Sequence, residues 1–252
     1  MIDFHSHIIP KVDDGSGSTN QSIRMLKMLK ANNVETVIAT PHFYLKDNTI
    51  EEFLARIDYA YNKLVKNISE EDELPNILRG AEVLLTSEIA DLEGLEKLCI
   101  EGTRYILIEM PYSYWSDWVY QSIDKIIVER NLIPIIAHVE RYTPIIDDPN
   151  KMLRLLSFGV IAQINAPSIV EHKLRKLSLK LIENNMVHVI GSDAHNDTER
   201  APNILKAYEI IEKKFGHEAT DYFRNNAKNI LQNKILDVPC PDEIKKFLGI
   251  FL

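Results

Sequence analysis

The chain has 252 residues, 45% of them hydrophobic and 26% charged, with a formal net charge of −8. This length and mix suit one large α/β domain with a well-buried core and exclude a disordered or fibrous chain. The acidic balance excludes nucleic acid held across a broad surface, because phosphate backbones need clustered Lys and Arg. No apolar run nears the roughly 18 residues of a membrane span, so direct membrane insertion is excluded as well.

In chain order, MIDFHSHIIPKVDDG opens as a short strand carrying His5 and His7 at its end, with Asp14 in the loop that follows. SIRMLKMLKAN has helical period, and VETVIATPH is a second strand with His42 just past it. The helix IEEFLARIDYAYNKLVK leads to the acidic run SEEDE at 69–73, read as a solvated loop. ILRGAEVLL is a third strand with Glu82 late in it, and YILIEM a fourth ending at Glu109. WVYQSIDKIIVERN is helical, IPIIAHV a fifth strand ending at His138, and PNKMLRLLSFG helical. VIAQIN is a sixth strand, IVEHKLRKLSLKLIENN one long helix, and VHVIGSD a seventh strand with Asp193 and His195 at its exit. AYEIIEKKFG and TDYFRNNAKNILQN read as closing helices. Ser18 with Gln21, Thr49 with Glu52 and Ser168 with Glu171 have capping-box spacing and mark helix starts.

Strands alternating with helices predict a parallel sheet. At this length the leading architecture is a distorted (βα)7 TIM-like barrel, a single domain over residues 1–252, with an open doubly wound sheet as the alternative. In such a barrel the carboxyl ends of the strands converge on one face. Five imidazoles (His5, His7, His42, His138, His195) and four carboxylates (Asp14, Glu82, Glu109, Asp193) would therefore share one mouth. So many charged groups crowded together repel one another and lose hydration unless cations lie between them. Nitrogen and carboxylate oxygen without thiolate suit first-row ions such as Mn, Fe or Zn.

The two cysteines, Cys99 and Cys240, lie in no paired motif, which fits a reducing, cytoplasmic setting. Neither stands in a Cys-x5-Arg context, so cysteine-dependent phosphatase chemistry is excluded. DDGSGS has no following Lys-Ser or Lys-Thr and is no P-loop. His172, His188 and His217 fall away from the strand ends.

The ordered set HSH, D, PH, E, E, H, SDAH resembles the polymerase and histidinol phosphatase (PHP) superfamily of trinuclear-metal phosphoesterases. MIDFHSHIIPKVDDG, IAHVERY and GSDAHNDTERAP resemble, more narrowly, the bacterial PHP-type protein tyrosine phosphatases encoded with capsule or exopolysaccharide genes. The resemblance spans nearly the whole chain and implies a PHP fold with three divalent metals, Mn foremost, with Fe, Zn, Co or Mg as alternatives. The first ion would sit among His5, His7, Glu82 and Asp193. The second would lie among Glu82, Glu109 and His138, and the third among Asp14, His42 and His195. It also implies that Arg141 and Arg200 bind phosphate, for which a planar guanidinium offers two parallel donors.

The substrate implied is a phosphotyrosine protein, in particular the tail of a membrane tyrosine autokinase. A small-molecule phosphatase acting on a compound like histidinol phosphate, another PHP phosphoesterase, and a non-catalytic module docking on a kinase are the other readings. Metal-assisted hydrolysis would follow, with hydroxide generated from bound water near neutral pH. Tyr112, Tyr114, Trp115 and Trp118 after Glu109, and Phe43 and Tyr44 after His42, are candidates to line a slot for the phosphotyrosine ring.

Overall fold

The structure is a computed structural model that describes residues 1–69, 71–247 and 250–251; Glu70 of the acidic run, and Leu248, Gly249 and Leu252 of the expected domain, lie outside the described residues. In chain order the elements are β1 (Ile2–Ser6), α1 (Thr19–Ala31), β2 (Thr36–Ala39), β3 (His42–Phe43), α2 (Ile50–Lys66), β4 (Asn76–Arg79), β5 (Glu82–Leu84) and β6 (Tyr105–Glu109). There follow α3 (Asp117–Val128), β7 (Ile133–Ile136), α4 (Thr143–Asp147), α5 (Lys151–Leu156), β8 (Ile161–Asn165), α6 (Ala166–Val170), α7 (His172–Glu183), β9 (Val189–Gly191), α8 (Ile204–Phe215) and α9 (His217–Leu231). A short antiparallel pair, Lys246–Phe247 with Ile250–Phe251, ends the chain.

The ladders between β1 and β9 are all parallel, in the orders β1-β2-β4 and β3-β5-β6-β7-β8-β9. Two of the seven expected strands are each broken in the middle. Pro41 has no N–H to give the ladder and separates β2 from β3, while Gly80 and Ala81 separate β4 from β5. The two halves stay aligned through Gly80 N–H to the Ala39 carbonyl at 2.9 Å and Glu82 N–H to the Pro41 carbonyl at 3.0 Å. The ring closes where Asp193 N–H donates to the His5 carbonyl at 2.7 Å and His7 N–H to the Ala194 carbonyl at 2.9 Å. The result is a distorted seven-stranded parallel barrel; the open doubly wound sheet is not what forms.

Helices cover the outside because each offers one apolar stripe. On α2, Ile50, Phe53, Ile57, Ala60 and Leu64 recur every three or four residues and are buried. Its start is a complete capping box, with Thr49 N–H donating to Glu52 Oε2 at 2.9 Å and Glu52 N–H to Thr49 Oγ1 at 3.2 Å. Ser18 caps α1 by accepting from Gln21 N–H, but the Gln21 carboxamide turns instead to Gly17 N–H and Asp197. The third expected cap fails. Ser168 lies inside α6, because Pro167 in the first turn starts that helix directly from the end of β8. The expected long helix from Ile169 is also divided, by Glu171 in an extended conformation between α6 and α7. Inside the ring, Phe4, Ile38, Leu107, Ile135, Ile161 and Val189 come from six different strands and pack as one cluster, joined by Ala227 and Ile230 of α9. A closing helix below that cluster agrees with the sequence expectation and leaves the opposite, carboxyl-end face open to solvent.

Candidate metal centre

Most strands, or the loops just past them, deliver a histidine or carboxylate to that open face. His5 is in β1 and His7 just beyond it, His42 opens β3, Glu82 opens β5, and Glu109 ends β6. His138 lies two residues past β7, and Asp193 and His195 follow β9. Asp14 comes from the loop between β1 and α1. All nine expected residues gather here, although His5 and Asp193 are far apart in sequence.

The innermost four atoms carry the chemistry. His5 Nε2 and His7 Nε2 are 3.0 Å apart. Glu82 Oε2 lies 3.1 Å from the first and 3.3 Å from the second, and Asp193 Oδ1 lies 3.6 and 3.5 Å from them. The opposite ring nitrogens settle what faces inward. His5 Nδ1 is 3.2 Å from Gln163 Oε1, which can only accept, and His7 Nδ1 is 2.7 Å from the Asp13 carboxylate. Both Nδ1 atoms thus carry a proton and both Nε2 atoms turn inward, where, against burial, the carboxylates raise the pKa of each ring; an ion among them would take the place of the Nε2 protons. Two inward nitrogens and two carboxylate oxygens at these separations need positive charge among them, from ring protons or from a bound cation. Donor atoms about 2.1 Å from a common ion stand about 3.0–3.4 Å from one another in octahedral or tetrahedral coordination. The observed spacings match that range or lie just above it.

Around this core, His195 Nδ1 donates to the Asp193 carbonyl at 2.9 Å, which turns its Nε2 lone pair toward Asp14 Oδ1 at 3.3 Å. His42 serves two sides, with Nδ1 3.0 Å from Glu82 Oε2 and Nε2 3.4 Å from Asp14 Oδ1. His138 Nε2 is 2.9 Å from Glu82 Oε1 and 3.9 Å from Glu109 Oε1. Among the described residues three groups have donor atoms close enough to share an ion: His5, His7 and Asp193; His42, Glu82 and Glu109; and His7, Asp14, His42 and His195. Several buried atoms, among them His42 Nδ1, Glu82 Oε2 and His195 Nε2, have no hydrogen-bond partner. Buried polar atoms rarely go unpaired, so they fit divalent cations as their missing partners.

Electrostatics point the same way. Burial works against charge on Glu82, yet His5, His138 and His42 hold its carboxyl well below the usual range. Burial and the neighbouring Glu82 push Glu109 up to about 7. Burial, with His7 adding to it, pushes His195 down to about 4 and keeps that ring neutral, as a ligand must be. The backbone is held unusually as well: His138 and Asp193 adopt left-handed conformations with φ of 30° and 51°. Non-glycine residues accept these at a cost of about 1–3 kcal/mol each, the kind of strain that gathers at functional sites.

Three further residues shape the cluster. Asp13 orients His7 and also accepts from His42 N–H at 3.1 Å. Gln163 accepts from His138 N–H at 2.8 Å and donates to Asn165 Oδ1 at 2.8 Å. Asn165 in turn donates to Asp193 Oδ2 at 2.8 Å. Asp13 was hidden beside Asp14 in VDDG. The signal for the other two was two amides alternating through the otherwise apolar VIAQIN. Such outer contacts fix which ligand atom faces inward.

Arg141 and Arg200 meet at the rim, donating to the same Asp193 Oδ2 at 2.9 and 3.1 Å. That oxygen is saturated by three donors, so only Oδ1 turns to the histidines. The aromatic residues divide. Phe43 is fully buried against Phe53 and lines no slot, whereas Tyr44 stacks on His42 at 5.1 Å between ring centroids. Tyr112 lies half-exposed 6.1 Å from the His138 ring with Arg141 over its face, while Tyr114 is turned away onto Asp147 and Trp115 packs against Tyr120 and Tyr142. His172 and His217 are exposed, and His188 is buried beneath the barrel, accepting from Ala162 N–H at 2.9 Å.

Packing around His5 leaves no slack. A Cβ added at Gly191 would sit 2.5 Å from His5 Cβ and 3.0 Å from Gln163 Nε2. Gly191→Ala is therefore expected to cost about 1–3 kcal/mol, seen as a thermal midpoint lowered by several degrees; an unchanged midpoint would show that β1 can retreat.

Comparison with known proteins agrees with this geometry. The family described as "Capsular polysaccharide synthesis, CpsB/CapC" matches residues 1–232. The chain is 33% identical to the tyrosine-protein phosphatase YwqE of Bacillus subtilis, covering all of both sequences, and 34% identical to the putative tyrosine-protein phosphatase CapC of Staphylococcus aureus over 99% of this chain and all of that one. A crystal structure from work on YwqE of B. subtilis and CpsB of Streptococcus pneumoniae, described there as unique metal-dependent tyrosine phosphatases, superposes with a TM-score of 0.86 at 31% identity, covering 98% of this chain and 100% of that one. A phosphotriesterase homology protein from Escherichia coli, at 11% identity, TM-score 0.55 and coverage of 92% and 98%, shares the fold alone. This chain belongs to the CpsB/CapC family of capsular polysaccharide synthesis.

Proposed function

We propose that the protein is a metal-dependent protein-tyrosine phosphatase that holds three divalent ions, with Mn the foremost candidate, in the ligand set of His5, His7, Asp14, His42, Glu82, Glu109, His138, Asp193 and His195. The observation that carries this reading is the meeting of two imidazole Nε2 atoms and two carboxylate oxygens within 3.6 Å, roofed by two arginines.

When bound, the ions would act as Lewis acids and lower the pKa of water into the neutral range. The chain's own residues do the rest. Glu82 offers one oxygen to His5 and His7 and the other to His138, and so ties the ligand groups together. Asp13 and Gln163 hold the His7 and His5 rings by Nδ1, so that each would offer its Nε2 lone pair to an ion. Arg141 and Arg200 have donors left over after their bonds to Asp193; these receive the equatorial phosphate oxygens, whose charge rises in the transition state. No nucleophilic side chain is required, which agrees with the buried Cys99 having its thiol pushed up to about 12 by burial and the nearby Glu96.

The substrate is a phosphotyrosine protein, and the tail of a membrane tyrosine autokinase that controls capsule or exopolysaccharide synthesis is the proposed partner. A cytoplasmic location goes with that partner. Among the described residues no helix is long and apolar enough to cross a membrane.

Hydrolysis of a phosphotyrosine peptide, histidinol phosphate and a bis-aryl phosphodiester, measured side by side with added Mn and then with chelator, tests the reading. Chelator-sensitive phosphate release from the peptide, well above the other two, is the expected result. Preference for histidinol phosphate or the diester would move the protein to another phosphoesterase activity, and no release from any of them would leave docking on a kinase as its role.

A further inference from the structure

A groove of about 340 Å³ lies between the loop after β1, the start of α1 and the outer face of α2. Lys11 stands at one end, and Arg56, Tyr59 and Lys63 form a stripe along α2 at helical spacing. Among the described residues no Asp or Glu lines it, although the chain carries a net charge of −8. Neighbouring cations behave otherwise: Lys27 is paired with Asp72, Arg24 with Asp197 and Arg79 with Asp58. Among the described residues Lys11, Arg56 and Lys63 have no ion-pair partner.

One end of the groove is also close in the chain to the metal centre. Lys11 and Val12 immediately precede Asp13 and Asp14, so by chain length alone its upper end is within about 10 Å of Asp14. Pro10 and Val12 supply apolar wall there, and Tyr59, 74% exposed, supplies a ring on the opposite side. Three unpaired cations around a bed of Pro10, Val12, Ala60 and the polar Ser18, Thr19 and Asn20 match an extended polypeptide that carries carboxylates.

We propose that this groove is a docking site for an acidic segment of the substrate polypeptide, a few residues from the phosphotyrosine, and that it gives the enzyme a preference for acidic flanking sequence. The proposal rests on the phosphatase reading for its catalytic consequence but not for the binding itself. The segment's carboxylates pair with Lys11, Arg56 and Lys63, and its backbone lies across Tyr59.

The test uses the Mn-loaded full chain and the double variant Arg56→Gln with Lys63→Gln, two exposed changes outside the catalytic cluster. Hydrolysis of para-nitrophenyl phosphate should be the same in both. For two phosphotyrosine peptides of equal length, one flanked by Asp and Glu and one by Ser and Gly, the wild type should prefer the acidic one about five-fold in kcat/KM at low salt. The variant, or added salt, should erase that preference. Fluorescence anisotropy with a labelled acidic peptide lacking phosphotyrosine reads the groove without catalysis, and binding should be weakened in the variant. An undiminished preference and undiminished binding in the variant would overturn the proposal. So would loss of binding only to phosphatidylserine vesicles, which would make the groove a membrane contact. Groove-dependent peptide binding by a protein that hydrolyses none of the phosphotyrosine substrates would support the groove and reject the phosphatase reading.

Discussion

Glu82→Gln is expected to lower kcat/KM for a phosphotyrosine peptide by roughly 10³-fold or more, about 4 kcal/mol of transition-state stabilisation. The carboxylate is 1% exposed, and its two oxygens lie within 3.3 Å of four different histidines. An amide keeps the shape but loses the negative charge and replaces one oxygen by an NH2, which can neither bind a cation nor accept from a ring N–H. Metal content should fall with activity, and elemental analysis of the purified variant would show it. A second readout separates lost metal from lost fold. Added Mn should raise the thermal midpoint of the wild type, because a ligand that binds only the native state stabilises it, and should move the variant little. Full metal loading with normal activity in Glu82→Gln would reject Glu82 as the shared ligand.

The second large effect belongs to the arginines. Arg141→Ala should reduce kcat/KM by about 10²-fold while leaving metal content unchanged, since Arg141 reaches the cluster only through Asp193 Oδ2. Arg141→Lys should recover only part of the loss, because an ammonium keeps the charge but loses the planar pair of donors. Arg200 is the more exposed of the two and shares the same acceptor, so Arg200→Ala should cost less, and the double variant should differ from the sum of the singles. Steady-state kinetics on one phosphotyrosine peptide, with metal analysis of each protein, would decide this. Loss of metal in Arg141→Ala would mean that the arginine serves to position Asp193 and not to receive phosphate.

Much of this was legible in the sequence because a parallel barrel has a simple rule. Strand direction fixes which end of every strand meets the others, so residues at the ends of IPIIAHV and VHVIGSD can be assigned to one face without knowing any contact. Helix α2 was equally readable, since its apolar stripe and the Thr49 to Glu52 box are local features. Where local signals competed, reading failed. Ser168 has the spacing of a cap, but Pro167 had already started a helix, and Phe43 follows a metal-type histidine yet points to the core beside Phe53.

The sequence by itself determined the fold class, the family, and the set of imidazoles and carboxylates delivered to one mouth. Only the tertiary structure decided how they act together. The inward direction of His5 and His7 Nε2 depends on Gln163 and Asp13, and the free oxygen of Asp193 depends on Asn165, Arg141 and Arg200. Gln163 is 158 positions from His5 along the chain. Such bonds form only after the barrel has closed and set the register between strands, and no local pattern encodes that register.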